Sequence, residues 1–134
     1  MADHFHNDLI GDEAMYRENI LEHYREPHNV GPMKGASLVH KELNQSCGDT
    51  VELFLKFEDG KVAGVSFVGQ GCAISQAATS MLTDHVKAMT EAQLGALNQE
   101  DIFKLLGFHV GMTRLRCALL GLKTLQVGLE NKKK

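Results

Sequence analysis

The sequence lacks most of the features that mark a specialised class of protein. It has only 2 prolines in 134 residues, and hydrophobic residues make up 43% against 23% charged. That balance excludes a disordered or collagen-like chain. No apolar run exceeds a few residues, so no segment is expected to span a membrane. The opening residues, MADHFHND, have neither the basic start nor the apolar stretch of an export signal, and the chain is read as cytoplasmic. There is no excess of basic charge: 14 Lys and Arg stand against 17 Asp and Glu, a net charge of −3. That argues against a partner held mainly through phosphates, so no nucleic acid is expected. Cysteine is scarce, with 3 residues at 47, 72 and 117 and no CxxC pair. An odd, low count without an export signal speaks against a disulfide framework, and the missing CxxC removes the strong zinc-ribbon signature. No repeat or linker divides the chain, which is long enough to form one core without staples. What remains to be explained is the use of three isolated thiols.

Residues 1–12 read as a flexible polar tail in which His4 and His6 are solvated rather than ligands. Residues 131–134 read as a basic C-terminal tail, and the domain is placed at 13–130. Asp12 is a capping residue for a helix over 13–25, with Tyr16, Ile20 and Tyr24 as one apolar stripe and Pro27 as its stop. Residues 26–35 are turn chemistry. Strands are predicted over 37–43, 50–57 and 62–68. The middle one is the clearest, because Val51, Leu53, Leu55 and Phe57 alternate with Glu52, Phe54 and Lys56. Asp59-Gly60 marks the hairpin turn between the second and third. Beyond them, Ile74, Ala77, Ala78, Met81, Leu82 and Val86 share helical spacing within 73–89. Thr90-Glu91 and Asn98-Gln99 look like starts of shorter helices, the second carrying Ile102, Phe103, Leu105 and Leu106. A loop over 107–113 leads to a last helix with Leu115, Leu119, Leu122, Leu125 and Leu129. Strands first and helices afterwards indicate an α+β fold with helices covering one face of an antiparallel sheet.

Each thiol has two readings. Cys47 lies in Ser46-Cys47-Gly48-Asp49, just before the best strand. In extended backbone, positions i and i+2 point the same way, so Cys47 and Asp49 could serve one point; the bland alternative is a turn beside a surface charge. Cys72 follows Gly69-Gln70-Gly71 where strand gives way to helix, and a helix N-terminus favours a thiolate; the alternative is a small apolar residue at a junction. Cys117 shares a helix face with Arg114, whose guanidinium would lower a thiol pKa; the alternative is a buried cysteine beside two solvated arginines. With Asp49 the set would supply the four ligands of one tetrahedral zinc, or four ligands for a two-iron cluster.

These residues resemble the iron–sulfur cluster scaffold family known as IscU, SufU or the N-terminal domain of NifU. The similarity runs from Met15-Tyr16-Arg17-Glu18-Asn19-Ile20-Leu21-Glu22-His23-Tyr24 through Pro27-His28-Asn29-Val30-Gly31, Cys47-Gly48-Asp49 and Gly69-Gln70-Gly71-Cys72-Ala73-Ile74-Ser75 to Arg114-Leu115-Arg116-Cys117-Ala118. The resemblance implies a single α+β domain, a three-stranded, mainly antiparallel sheet packed against helices. It implies that Cys47, Cys72 and Cys117 converge at one exposed end with Asp49 beside them, as ligands of a [2Fe–2S] cluster or iron, or of zinc as an alternative occupant. It further implies that Cys47 or Cys117 accepts persulfide sulfur from a cysteine desulfurase. The cluster would then pass to apo iron–sulfur proteins or carrier proteins. Asp49 is then the labile ligand, and Arg114 pairs with a carboxylate or steers the metal end. Partners are expected on the helix over 13–25 and on the thiol end.

Two departures qualify this. Many family members carry a metal-ligating histidine just before the third cysteine, where this chain has Arg116, which cannot ligate. A Pro-Pro-Val-Lys segment read by a dedicated chaperone pair is replaced by Gly111-Met112-Thr113-Arg114, so that partnership is not implied. The motifs are closest to SufU, a zinc-dependent sulfurtransferase, but SufU's insert between the second and third cysteines is absent. Lys123, His28, His85 and His109 are read as surface or core residues. Three readings stand: a scaffold, a zinc-dependent sulfurtransferase, and a domain whose thiols are structural.

Overall fold

The computed structural model describes residues 18–133. The tail with His4 and His6, the helix start at Asp12 and the stripe residue Tyr16 lie outside the described residues. The order is α1 (18–25), β1 (Leu38–Asn44), β2 (Asp49–Glu58), β3 (Lys61–Gln70), α2 (Ala73–His85), α3 (Glu91–Ala96), α4 (Gln99–Leu106) and α5 (Met112–Lys133). The three strands form one antiparallel sheet in the order β1-β2-β3. The α+β reading holds, and α2 and α5 cover one face of the sheet.

The strands form where period-two patterning is strongest. Val51, Leu53 and Leu55 of β2 face inward, opposite Val65 and Phe67 of β3 and Leu38 of β1, and all are buried. The β2–β3 hairpin closes on Asp59 (φ 54°) and Gly60 (φ 77°), two consecutive left-handed residues, as a two-residue hairpin turn requires. The outer face departs from the expectation. The alternation places Phe54 on the outer face with Glu52 and Lys56, and it points there, yet it is only 8% exposed. Its cross-strand neighbours on that face are Val39 and Ser66, not a row of charges.

The free edge of β3 is covered by chain. Asn29 and Gly31 exchange backbone hydrogen bonds with Phe67, both 2.9 Å, and residues 88 and 89 do the same with Val62 at 3.0 and 2.9 Å. This second contact explains why α2 stops at His85 rather than running to 89: Ala88 takes a left-handed conformation (φ 69°) to reach the sheet edge. The segment after α1 is anchored on α2. His23 Nδ1 and the His28 N–H both lie 2.8 Å from Ser80 Oγ, and Asp84 accepts from His28 Nδ1 and from Asn29 Nδ2 (2.8 Å). Burial and the neighbouring His28 lower the His23 pKa. Burial acts to raise Asp84, but its bonds to His28 and Asn29 outweigh that and hold the carboxyl below its usual range. In α1, Ile20 is buried as expected but Tyr24 is 44% exposed, because the side that meets α2 carries Ile20 and His23 instead.

Helix α2 is buried on nearly every side, so its polar residues are buried too. Ser75, Thr79, Ser80 and Thr83 have no exposure. Thr79 and Thr83 donate back to Ser75 O (2.8 Å) and Ser80 O (2.6 Å), which satisfies hydroxyls that water cannot reach. The short helices begin where the sequence places them. Thr90 with Gln93, and Asn98 with Asp101, each form a reciprocal capping box.

Helix α5 differs from expectation at both ends. It starts at Met112, inside the predicted loop, and runs through the predicted tail to Lys133. Lys132 holds that end down, pairing with Glu91 Oε1 at 2.6 Å and sitting 5.1 Å from the Phe57 ring centroid. Leu122, Leu125 and Leu129 are buried, whereas Leu115 and Leu119 are only partly so. These two line an open groove between α5 and the end of β1, with Leu43, Asn44, Arg116 and Lys123. Two glycines let α5 lie close: a Cβ at Gly121 would fall 2.6 Å from Thr79 Oγ1, and one at Gly128 2.9 Å from His40 Cβ. Among the described residues no helix is long and apolar enough to cross a membrane.

Candidate metal centre

The site begins at the β1–β2 turn. Asn44 closes β1, and its carbonyl accepts from the N–H of Gly48 (2.8 Å) and of Cys47 (3.3 Å), while its side-chain Oδ1 accepts from Ser46 N–H (3.3 Å). Gly48 has φ 72°, a conformation glycine adopts without strain. Cys47 and Asp49 therefore approach each other through a turn, not through the extended alternation read from the sequence. The result is a contrast: Cys47 is exposed, while Asp49, opposite Asn44 in the ladder, is 1% exposed. The reading of Asp49 as a surface charge is excluded.

A buried carboxylate needs hydrogen-bond donors, and the second segment supplies one. Cys72 is the N-cap residue of α2, but its side chain caps nothing. Its backbone N–H donates instead to Asp49 Oδ1 at 2.9 Å, so a carboxylate from the neighbouring hairpin occupies the positive end of the α2 dipole. Cys72 Sγ lies 3.8 Å from Asp49 Oδ2. The approach depends on Gly71 (φ 147°), where any Cβ would collide with the Asp49 carboxylate.

The third segment is the second turn of α5. Cys117 Sγ lies 3.3 Å from Cys47 Sγ and accepts from Asn44 Nδ2 at 3.8 Å. Here the sequence reading needs correction. Cys117 is not an exposed thiol made acidic by arginine. It is 3% exposed, and burial, reinforced by contacts with Cys47, Asp49 and Cys72, pushes its pKa well above the ordinary 9.0. Arg114 and Arg116 point to solvent, and Arg114 makes no ion pair among the described residues. Arg116 is turned about 100° away from Cys117 around α5, while Arg114, on the Cys117 side, lies in the exposed first turn that starts at Met112. Asn44, which touches the Cys117 sulfur, had no signal in the sequence beyond its place before a turn.

The raised pKa has a direct consequence for stability. The native chain keeps a proton on Cys117 that the unfolded chain gives up. In the metal-free protein this contribution is fully present below an unfolded thiol's pKa of 9.0. It is lost as the pH rises past that value, by about 1.4 kcal/mol per pH unit. Urea unfolding of the parent and of Cys117→Ser at about pH 8 and about pH 10 checks it, because only the parent should lose the extra stability. Parallel losses in the two would remove Cys117 as the source.

The donor set suits a metal. One ligand atom each from Cys47, Asp49 and Cys117 lie within 4.8 Å of one another. Tetrahedral zinc–thiolate geometry sets neighbouring ligands about 3.8 Å apart, so small adjustments suffice. Cys72 stands just outside that trio, its Sγ 3.8 Å from Asp49 Oδ2 and near enough to Cys117 to help raise its pKa. Lys123, His28, His85 and His109 are not drawn into the site. His28 anchors the loop after α1, His85 is exposed, and His109 packs tilted against the Phe103 ring with its Nε2 3.4 Å from Glu100. Lys123 lies 3.8 Å from Glu42 across the groove.

The chain is similar to several known proteins. The family model described as NifU-like N terminal domain matches residues 15–134. The chain is 29% identical to the zinc-dependent sulfurtransferase SufU of Bacillus subtilis, over 87% of this chain and 90% of that protein. It is 34% identical to the iron-sulfur cluster assembly scaffold protein IscU of Aquifex aeolicus, over 87% and 74% respectively. Among solved structures, a candidate iron-sulfur cluster assembly scaffold protein for the SUF system from Fervidobacterium islandicum superposes with a TM-score of 0.69 at 28% identity, covering 87% of this chain and 98% of that one.

Proposed function

The chain belongs to the NifU-like N-terminal domain family, and from that premise we propose that it is an iron–sulfur cluster assembly scaffold. In this reading it accepts sulfur from a cysteine desulfurase, assembles a labile [2Fe–2S] cluster as its cargo, and passes the cluster to apo-proteins or carrier proteins. The domain proposed to do this spans 13–130, with α5 continuing beyond it. One observation carries the reading: three thiols and one buried carboxylate from three remote segments gather at one end of the fold, with one thiol exposed.

The residues divide the work by exposure. Cys47, on the open turn, is where a donor protein can deliver sulfur. Cys72 and Cys117, held by the ends of α2 and α5, supply fixed soft ligands. Asp49 is a hard oxygen donor in a soft site, the ligand an iron holds least well. Bound iron supplies Lewis acidity and affinity for sulfide; the chain supplies the geometry and the weak position through which cargo leaves.

A second reading has its own support. The likeness to SufU spans most of both chains, and Arg116 removes the additional nitrogen ligand. In that reading zinc occupies the same donors and the chain is a zinc-dependent sulfurtransferase. Anaerobic reconstitution separates the two. Given iron, cysteine and a desulfurase, a scaffold develops a charge-transfer spectrum with roughly two irons per chain. A colourless product holding stoichiometric zinc, which stimulates the desulfurase until Cys47 is replaced by alanine, decides for the sulfurtransferase.

A further inference from the structure

Two thiols of the site touch. Cys47 Sγ and Cys117 Sγ are 3.3 Å apart, the first exposed and the second buried. Cys47 sits on a turn with glycine beside it, whereas Cys117 is fixed within α5. A sulfur donor can therefore reach Cys47 but not Cys117, and Cys117 already rests against the sulfur that would be loaded. We propose that Cys117 is a resolving thiol: in the metal-free protein it discharges a persulfide on Cys47 as free hydrosulfide. This rests on the reading that Cys47 accepts sulfur.

The step balances without a further reactant. The outer sulfur of the Cys47 persulfide takes the Cys117 proton, and the thiolate so formed attacks the inner sulfur, the atom Cys117 contacts in the structure. A bond forms between Cys47 Sγ and Cys117 Sγ while the persulfide S–S bond breaks. The bonding pair leaves with the protonated outer sulfur, which departs as hydrosulfide. The outer, sulfane sulfur is reduced by two electrons, and the two cysteine sulfurs are oxidised to a disulfide. A dithiol reductant then resets the pair by ordinary exchange. A disulfide requires the sulfurs to close to about 2.0 Å, and the approach falls to Cys47 on its exposed turn, since Cys117 is buried within α5. Cys72 is the competing thiol, but its sulfur faces Asp49 Oδ2 at 3.8 Å. A metal ion on the same sulfurs blocks the step, so release belongs to the chain before it is loaded with iron or zinc.

The test uses the whole chain, stripped of metal, reduced and kept anaerobic. One equivalent of sulfane sulfur is delivered as glutathione persulfide, and small thiols are removed at once. The parent should release close to one hydrosulfide per chain and yield a Cys47–Cys117 cross-linked peptide by mass spectrometry. Cys117→Ser, and Cys117→Ala as a second variant, should retain the mass of one sulfur atom on Cys47 and release sulfide at least about tenfold more slowly. A parent that keeps its persulfide without cross-linking overturns the proposal. So does release from Cys117→Ser at the parental rate, or release accompanied by a glutathione mixed disulfide. If neither folded variant nor parent takes up sulfur on Cys47, the acceptor reading itself fails, and the missing sulfur mass distinguishes that result from the others.

Discussion

In Asp49→Ala, transfer of a reconstituted cluster to an apo-ferredoxin should slow by about tenfold or more, while the cluster stays on the protein. The expectation follows from Asp49 being the one hard donor among three soft ones. Transfer needs a position where an incoming thiolate can displace a protein ligand, and the carboxylate is the ligand iron yields most readily. Its removal also has a structural cost, because Asp49 is 1% exposed and accepts the Cys72 N–H. Without it, a backbone donor at the start of α2 loses its partner, worth about 1–3 kcal/mol. Asp49→Asn separates the two effects. Its amide oxygen still accepts from Cys72, so urea stability should remain near the parent's while transfer stays slow. Faster loss of cluster from Asp49→Ala than from the parent would contradict the role given to the carboxylate.

Gly121→Val should destabilise the protein by about 3 kcal/mol, the upper part of the range for overpacking a core. A Cβ there meets Thr79 Oγ1 at 2.6 Å. Thr79 cannot swing aside, because it has no exposure and its hydroxyl donates to Ser75 O. The strain must be relieved by moving α5 away from α2. For a domain of this size that corresponds to a fall in Tm of roughly 10–15 °C. The same displacement reaches the candidate metal centre, since Cys117 lies one helical turn before Gly121. Zinc affinity should therefore fall along with stability, although no ligand has been changed. Urea unfolding and competition with a chelator measure the two effects. A variant as stable as the parent would show that α5 does not depend on this close approach.

The sheet was readable because β2 alternates cleanly and Asp59-Gly60 is strong hairpin chemistry. The short helices were readable because Thr90 and Asn98 are followed three residues on by side chains that return the cap. All of these are local signals. Where the sequence misled, the cause lay elsewhere in the fold. Phe54 is buried although it points to the outer face, α2 packs against α4 and α5 from later in the chain, and Lys132 is held by Glu91 and Phe57. At the site, the three thiols and Asp49 could be singled out from their neighbours, but their electrostatic surroundings could not. Arg114, three residues before Cys117, suggests an acidic thiol; it lies in the exposed first turn of α5, while the Cys117 sulfur is turned to the core. Asp49 looks like any charge at the start of a strand until it is placed opposite Asn44 and under the first turn of α2.

The donors of the site come from far apart: Cys72 stands 23 positions from Asp49, and Cys117 stands 70 from Cys47. Contacts of such separation carry the loop-closure entropy of the chain between them. A hairpin alone offers Cys47 and Asp49, and the start of α2 adds Cys72, but the pair of touching sulfurs does not exist until α5 has docked. Folding thus acts as an interlock. A half-finished chain lacks the Cys117 thiol of the candidate site, and so does one whose last helix has come loose.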